Sequence, residues 1–128
     1  MFYSALLVAA GAACGAVLRW LLGQGLNGLF PAIPPGTLAS NLLGGYLMGL
    51  MIALLAIPLN HAPEMRLFMV SGFLGGLTTF SAFSGEVARL LQQGRMAMAG
   101  AEIALHVVGS VSLTLLGIAT IALLRRSA

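Results

Sequence analysis

Apolar residues run along this chain in four long blocks, separated by short stretches rich in glycine, asparagine, proline or arginine. A helix needs about 20 apolar residues to cross the hydrocarbon core of a bilayer. Four segments meet that length, Phe2 to Leu22, Gly36 to Ile57, Met65 to Leu91 and Ala97 to Leu124. The pattern predicts an all-α integral membrane protein, a single four-helix transmembrane domain over residues 1–128 with almost nothing left for a soluble domain. The third segment is too long for one straight span, which implies a break or a strong tilt inside it.

The break is expected in the run from Gly72 to Glu86. Gly72, Gly75 and Gly76 favour backbone freedom, and the β-branched Thr78 and Thr79 follow at once, so a continuous helix is weakened here without any proline. Freed backbone groups at membrane depth are tolerated only where protein covers them or where they line a wet cavity or an ion site. After the break, Phe80 and Phe83 stand at i, i+3 on one helical stripe, and Ser81 and Ser84 stand on the next. Ring edges carry partial positive charge and hydroxyls donate hydrogen bonds, so the two stripes together can face an anion. Two phenylalanines at this spacing also suit plain core packing.

The other polar positions are few. In the first span Gly11 and Gly15 form a close-packing ridge that Arg19 continues; the arginine either snorkels to the interface or adds positive potential at a pore mouth. The connection Gly23 to Pro35 reads as loop, with Pro34-Pro35-Gly36-Thr37 as a helix start. Asn41 heads a second small-residue ridge with Gly45 and Gly49, and its amide either bonds a neighbouring helix or points its NH₂ into an anion path. Pro58 to Pro63 makes the next turn, and Glu86 and Arg89 are placed to pair across one turn of helix. His106, Ser110 and Thr114 recur every four residues as a polar stripe on the last span, with Gly109 and Gly117 giving close contact nearby. Each hydroxyl alone can also bond back to its own helix.

Composition agrees with the membrane reading: 59% of residues are hydrophobic and 7% charged, with a mean hydropathy of +1.02. A net charge of +3 would suggest nucleic acid in a soluble protein, but the arginines lie scattered at span ends and read as interface anchors. Arg66, Arg125 and Arg126 fall on one side of a four-span topology, and Arg19, Arg89 and Arg95 on the other. That balance leaves the positive-inside rule without a preference, so the chain is expected to insert both ways and pair as an antiparallel two-fold dimer, unless a single interfacial arginine decides. The lone Cys14 excludes an internal disulfide and reads as a small packing residue. Gly11-Ala12-Ala13-Cys14 is faintly similar to a lipoprotein cleavage site, but no positive region precedes it, so the N-terminus is read as an uncleaved span.

Gly75-Gly76-Leu77-Thr78-Thr79-Phe80-Ser81-Ala82-Phe83-Ser84, together with Pro35-Gly36-Thr37-Leu38, Asn41-Leu42, four spans and balanced arginines, resembles the Fluc (CrcB) family of fluoride channels over essentially the whole chain. The resemblance implies a dual-topology antiparallel homodimer that lets fluoride leave passively through two pores, each lined by both subunits. Phe80 and Phe83 would be the rings whose edges meet the ion, with Asn41 and Ser110 as polar contacts beside them. Ser81, Ser84 and Thr114 would form a hydroxyl track. Backbone carbonyls of Gly75 and Thr78 would hold a structural Na⁺ at the dimer axis, and Arg19 would attract anions at the vestibule. Ala82 stands where some relatives carry threonine, which leaves that track one donor shorter. His106 occupies a variable place and receives no role.

Two other readings remain. A small proton-coupled multidrug-type exporter is also a short four-helix dimer, but it needs a membrane-buried carboxylate; the first span has none, and Glu64, Glu86 and Glu102 fall near span ends. A non-transporting structural subunit would use the glycine ridges for packing alone. Enzyme chemistry is not expected, because no nucleophile–base set and no metal-ligand cluster is visible in the sequence.

Overall fold

The computed structural model describes residues 1–58 and 61–127, so two positions of the expected Pro58 to Pro63 turn lie outside the described residues. Four helical spans, Phe2–Leu29, Pro35–Leu55, Ala62–Gln92 and Met96–Ser127, are long and apolar enough to cross a membrane. The first holds α1 (Phe2–Leu26) and a short 3₁₀ turn, and the second is α2 (Pro35–Leu55). The third is composite: α3 (Ala62–Met65), a π-helical stretch (Arg66–Leu74), α4 (Gly75–Leu77) and α5 (Phe80–Gln92). The fourth is α6 (Met96–Ser127). The spans overlap the apolar blocks and extend past several of their ends.

Local chemistry explains the boundaries. Pro35 sits in the first turn of α2, where its missing N–H is harmless. Pro34 offers no side-chain acceptor, and Asn27 supplies one from the preceding turn: its Oδ1 accepts from the Gly36 N–H at 2.8 Å. Between Leu77 and Phe80 the backbones of Thr78 and Thr79 are extended (ψ 152° and 112°). α5 ends at Gly94, whose φ of 72° lets Arg95 N–H return to the Leu90 carbonyl and Gly94 N–H to that of Leu91. That pair of bonds closes the helix end and turns the chain into α6.

Glycines decide how closely the spans pack. α1 lies along the π-helical stretch and α4, and α2 lies along α6. A Cβ at Gly11 or Gly15 would collide with the carbonyls of Phe68 and Phe73, and one at Gly76 with the carbonyl of Ala12. The second ridge behaves alike, since a Cβ at Gly49 would strike the Thr114 carbonyl and one at Gly117 that of Tyr46. Close backbone approach of this kind is how helices associate without a hydrophobic drive between them. Cys14, expected to pack, is instead exposed on α1. Gly11 and Gly15 bury one face of that helix, and Cys14 lies outside it.

Glu86 and Arg89 do not pair as expected. Phe83, Glu86, Val87 and Leu90 form the buried face of α5, at helical spacing, and Arg89 falls beyond its edge. Glu86 therefore turns inward and accepts a hydrogen bond from Thr37 Oγ1 at 2.7 Å, while Arg89 is exposed.

Gly15→Ala should destabilise the folded protein by about 1–3 kcal/mol, because a backbone carbonyl cannot swing away as a side chain can. Gly25→Ala, where a Cβ meets nothing, should be neutral or stabilising by up to about 1 kcal/mol. Thermal unfolding of the two variants in detergent measures the contrast.

Candidate functional site

The extended Thr78–Thr79 stretch has to satisfy its backbone from elsewhere, and α2 supplies the partner. Thr79 N–H donates to Asn41 Oδ1 at 2.7 Å, and Asn41 Nδ2 donates back to the Thr79 carbonyl at 3.1 Å. One side-chain amide thus replaces the acceptor that the Thr79 N–H loses at the break and adds a bond to the carbonyl from which α5 starts. The second hydrogen of Asn41 Nδ2 faces His106 Nδ1 at 3.0 Å. Of the two uses open to Asn41, the structure shows the bond to neighbouring helices.

Thr79 also caps α5. Its Oγ1 accepts from the Ala82 N–H at 3.2 Å and lies 3.2 Å from Ser81 Oγ. In a continuous helix the Thr79 N–H would reach the Gly75 carbonyl, and the Ala82 N–H that of Thr78. Both donors are diverted, so these two carbonyls lose their helical partners beside Gly75, which is exposed, and Thr78, which is half-buried. Sequence reasoning passed over Thr79 as a functional position. The available signal was a threonine directly ahead of an apolar helical run, the ordinary place for an N-cap.

Two open cavities meet at Thr79. One, of about 600 Å³, is lined by Arg19, Trp20, Gln24, Asn27, Thr37, Thr79 and Ala82 among others. The other, of about 420 Å³, gathers Asn41, Gly75, Thr78, Thr79, Phe80, Phe83, His106, Ser110 and Thr114. Most of the residues singled out from the sequence therefore share one cavity, and Arg19 lies in the neighbouring one. Ser81 and Ser84 line neither; both are exposed on α5, with Ser84 Oγ donating to the Ser81 carbonyl at 3.2 Å. The Thr114 hydroxyl donates to the Ser110 and Gly45 carbonyls, both at 2.9 Å, which binds α6 to α2.

The rings differ in setting. Phe80 and Phe83 meet edge to face, with centroids 5.5 Å apart at 62°. Phe83 is 8% exposed and lies 4.6 Å from the His106 ring, whereas Phe80 is 77% exposed on the single chain. A phenylalanine this bare among packed helices leaves an apolar surface open beside the cavity.

A second group was not visible in the sequence. Glu86, Glu102 and His106 are all buried, and each offers a ligand atom within 4.8 Å of the others. The sequence showed no such cluster, and packing brings these three groups together. The three residues come from different turns of two helices, and the contact between α5 and α6 joins them.

Thr79→Val should lower stability by about 1 kcal/mol, since it removes the cap but keeps the shape, and Thr79→Ser should retain most of it. Asn41→Leu should cost about 1–3 kcal/mol by stranding the buried Thr79 N–H. Melting temperatures of the three variants in one detergent would rank them.

Residues 6–118 match the family described as CrcB-like protein, Camphor Resistance (CrcB). A relative from Tolumonas auensis named "Fluoride-specific ion channel FluC" is 61% identical over 99% of this chain and 100% of its own length. Relatives of the same name from Chromohalobacter salexigens and Chromobacterium violaceum are 58% and 55% identical, each over 98% of this chain and over 96% and 100% of their own lengths. With four helices long and apolar enough to cross a membrane and a match over nearly its whole length, the chain belongs to the CrcB family of multi-pass membrane proteins.

Proposed function

We propose that this protein is a passive fluoride channel, active as an antiparallel homodimer with two pores rather than as an enzyme. The observation that carries the reading is the second cavity. Neutral donors, the edge-to-face phenylalanines and an interrupted helix meet there, in a chain whose relatives are named for fluoride. Fluoride is small and strongly hydrated, so a pore must replace its water with donors that hold the ion without trapping it. Asn, Ser and Thr provide such donors without permanent charge.

Phe80 and Phe83 present ring edges to the ion, and the exposed face of Phe80 is where the second subunit completes the pore. An anion arriving at Asn41 competes with His106 Nδ1 for one amide hydrogen, while the other stays on Thr79. Ser110 adds a polar contact, and Thr114, Ser81 and Ser84 continue the hydroxyl track, the serines from the exposed side of α5. Arg19, half-buried in the adjoining cavity, raises the potential at the vestibule.

The third span's interruption serves a second purpose. The Gly75 and Thr78 carbonyls, freed of their helical donors, are suitable oxygen ligands for Na⁺, and a two-fold axis would present each of them twice. A cation held there would bind the subunits together and raise the local potential for anions.

The burial of Glu86 and Glu102 is one observation on the side of a proton-coupled exporter. That reading requires drug-driven proton flux in liposomes; passive fluoride release requires none.

Fluoride and chloride efflux from liposomes holding the purified protein tests the proposal: fast fluoride release with negligible chloride release is expected, and no release of either ion from folded dimers would refute it. Phe80→Ile or Phe83→Ile should slow fluoride roughly fivefold or more, as loss of about 1 kcal/mol of edge interaction implies, while dimers still form. Unaltered flux in both would remove the rings from the mechanism. Asn41→Asp should pass less fluoride than Asn41→Ala because it adds a repelling charge, and the reverse order would place Asn41 away from the ion.

A further inference from the structure

Five of the buried side-chain atoms without a hydrogen-bond partner among the described residues are Glu64 Oε2, Glu86 Oε2, both carboxylate oxygens of Glu102 and His106 Nε2, so all but the first belong to one cluster. Glu102 is fully buried and His106 is 4% exposed. Two carboxylates this close, shielded from water, need a cation, and the candidates are a metal ion or a proton.

Asn41 decides between them. The Thr79 N–H and C=O fix which end of the Asn41 amide is oxygen and which is nitrogen, so the group facing His106 Nδ1 is an NH₂ donor. Nδ1 is therefore the acceptor, and the neutral imidazole carries its proton on Nε2, a buried atom with no partner among the described residues. A metal at Nε2 would have to displace that proton. Metal-binding histidines usually donate from their other nitrogen, and here Asn41 forbids it.

The geometry points to a proton-binding site at Glu86, Glu102 and His106, in which the two carboxyl groups share one proton beside the neutral imidazole. Thr37 holds Glu86 by its other oxygen, Oε1. Sharing one proton leaves the two carboxyl groups with one negative charge instead of two. The titratable and charged groups facing Glu102 are Glu86 and Arg89 from α5 and His106 from α6 itself; α2 contributes only the Thr37 hydroxyl on Glu86. The site also joins the two cavities: Thr37 lines the one with Arg19, and His106 the one with the phenylalanines. The site is argued from the buried groups alone; on the fluoride reading, its proton lowers the negative charge that a passing anion meets.

The test is infrared spectroscopy of the purified full-length protein at neutral pH, which does not depend on any ion being transported. The chain has three acidic side chains, all glutamate, so the protonated-carboxyl C=O stretch is simple to assign. Wild type should show that band, slow to exchange in D₂O. Glu64→Gln should keep it. Glu102→Gln should remove it, because Glu86 then keeps the Thr37 hydroxyl and has no like charge to avoid, whereas Glu86→Gln should shift it, because burial alone then keeps the proton on Glu102. Absence of the band from wild type overturns the proposal without any variant, as does its survival in a folded Glu102→Gln protein or an unshifted band in a folded Glu86→Gln protein. Stoichiometric Zn²⁺ binding to wild type at neutral pH that His106→Gln abolishes would also overturn it, by making the cluster a metal site.

Discussion

Where the third span leaves its helix, the Thr79 N–H has no partner in that helix, and the Asn41 amide accepts from it while donating to the Thr79 carbonyl. Unpaired, that N–H would be costly inside a membrane protein. With Asn41 in place, Thr78 and Thr79 can stay extended, Thr79 can cap α5, and the donors for Gly75 and Thr78 can point elsewhere. The aim of α5, and with it the position of Phe80 and Phe83, follows from this capped restart.

Close packing makes that arrangement rigid. Gly11, Gly15, Gly72 and Gly76 let α1 press against the third span, while Gly45, Gly49 and Gly117 let α2 press against α6. A Cβ at Gly44 would collide with the Thr78 side chain, so the interruption sits directly against the α2 backbone. Asn41 can reach Thr79 and His106 together only because α2 lies this near both neighbours. Packing and polar chemistry are thus one constraint: small residues bring the helices together, and a single amide links the three.

The polar groups divide by what the fold asks of them. Ser40 and Thr78 bond back to their own helices, which conceals their hydroxyls, while Thr114 bonds both its own helix and the Gly45 carbonyl of α2. Phe80 and the serines of α5 remain exposed on the single chain. The buried acids are different again, because they lie inside one chain and must resolve their charge there.

Much of this was legible along the chain. Span number and placement follow from runs of apolar residues, and the glycine ridges and the Phe80–Phe83 stripe follow from helical period, all of which are local properties within a few turns. The long and specific Gly-Gly-x-Thr-Thr-Phe-Ser-x-Phe-Ser run was enough to suggest the family by resemblance. Contacts between spans were not legible. Asn41 meets Thr79 across 38 positions and His106 across 65, and Thr37 meets Glu86 across 49. The spacing of Glu86 and Arg89 allowed an ion pair, but the buried face of α5 turned the glutamate inward toward Glu102 and His106. Period tells which residues share a face; only the packed helices decide what that face meets, because the partners come from elsewhere in the chain and their geometry from backbone approach.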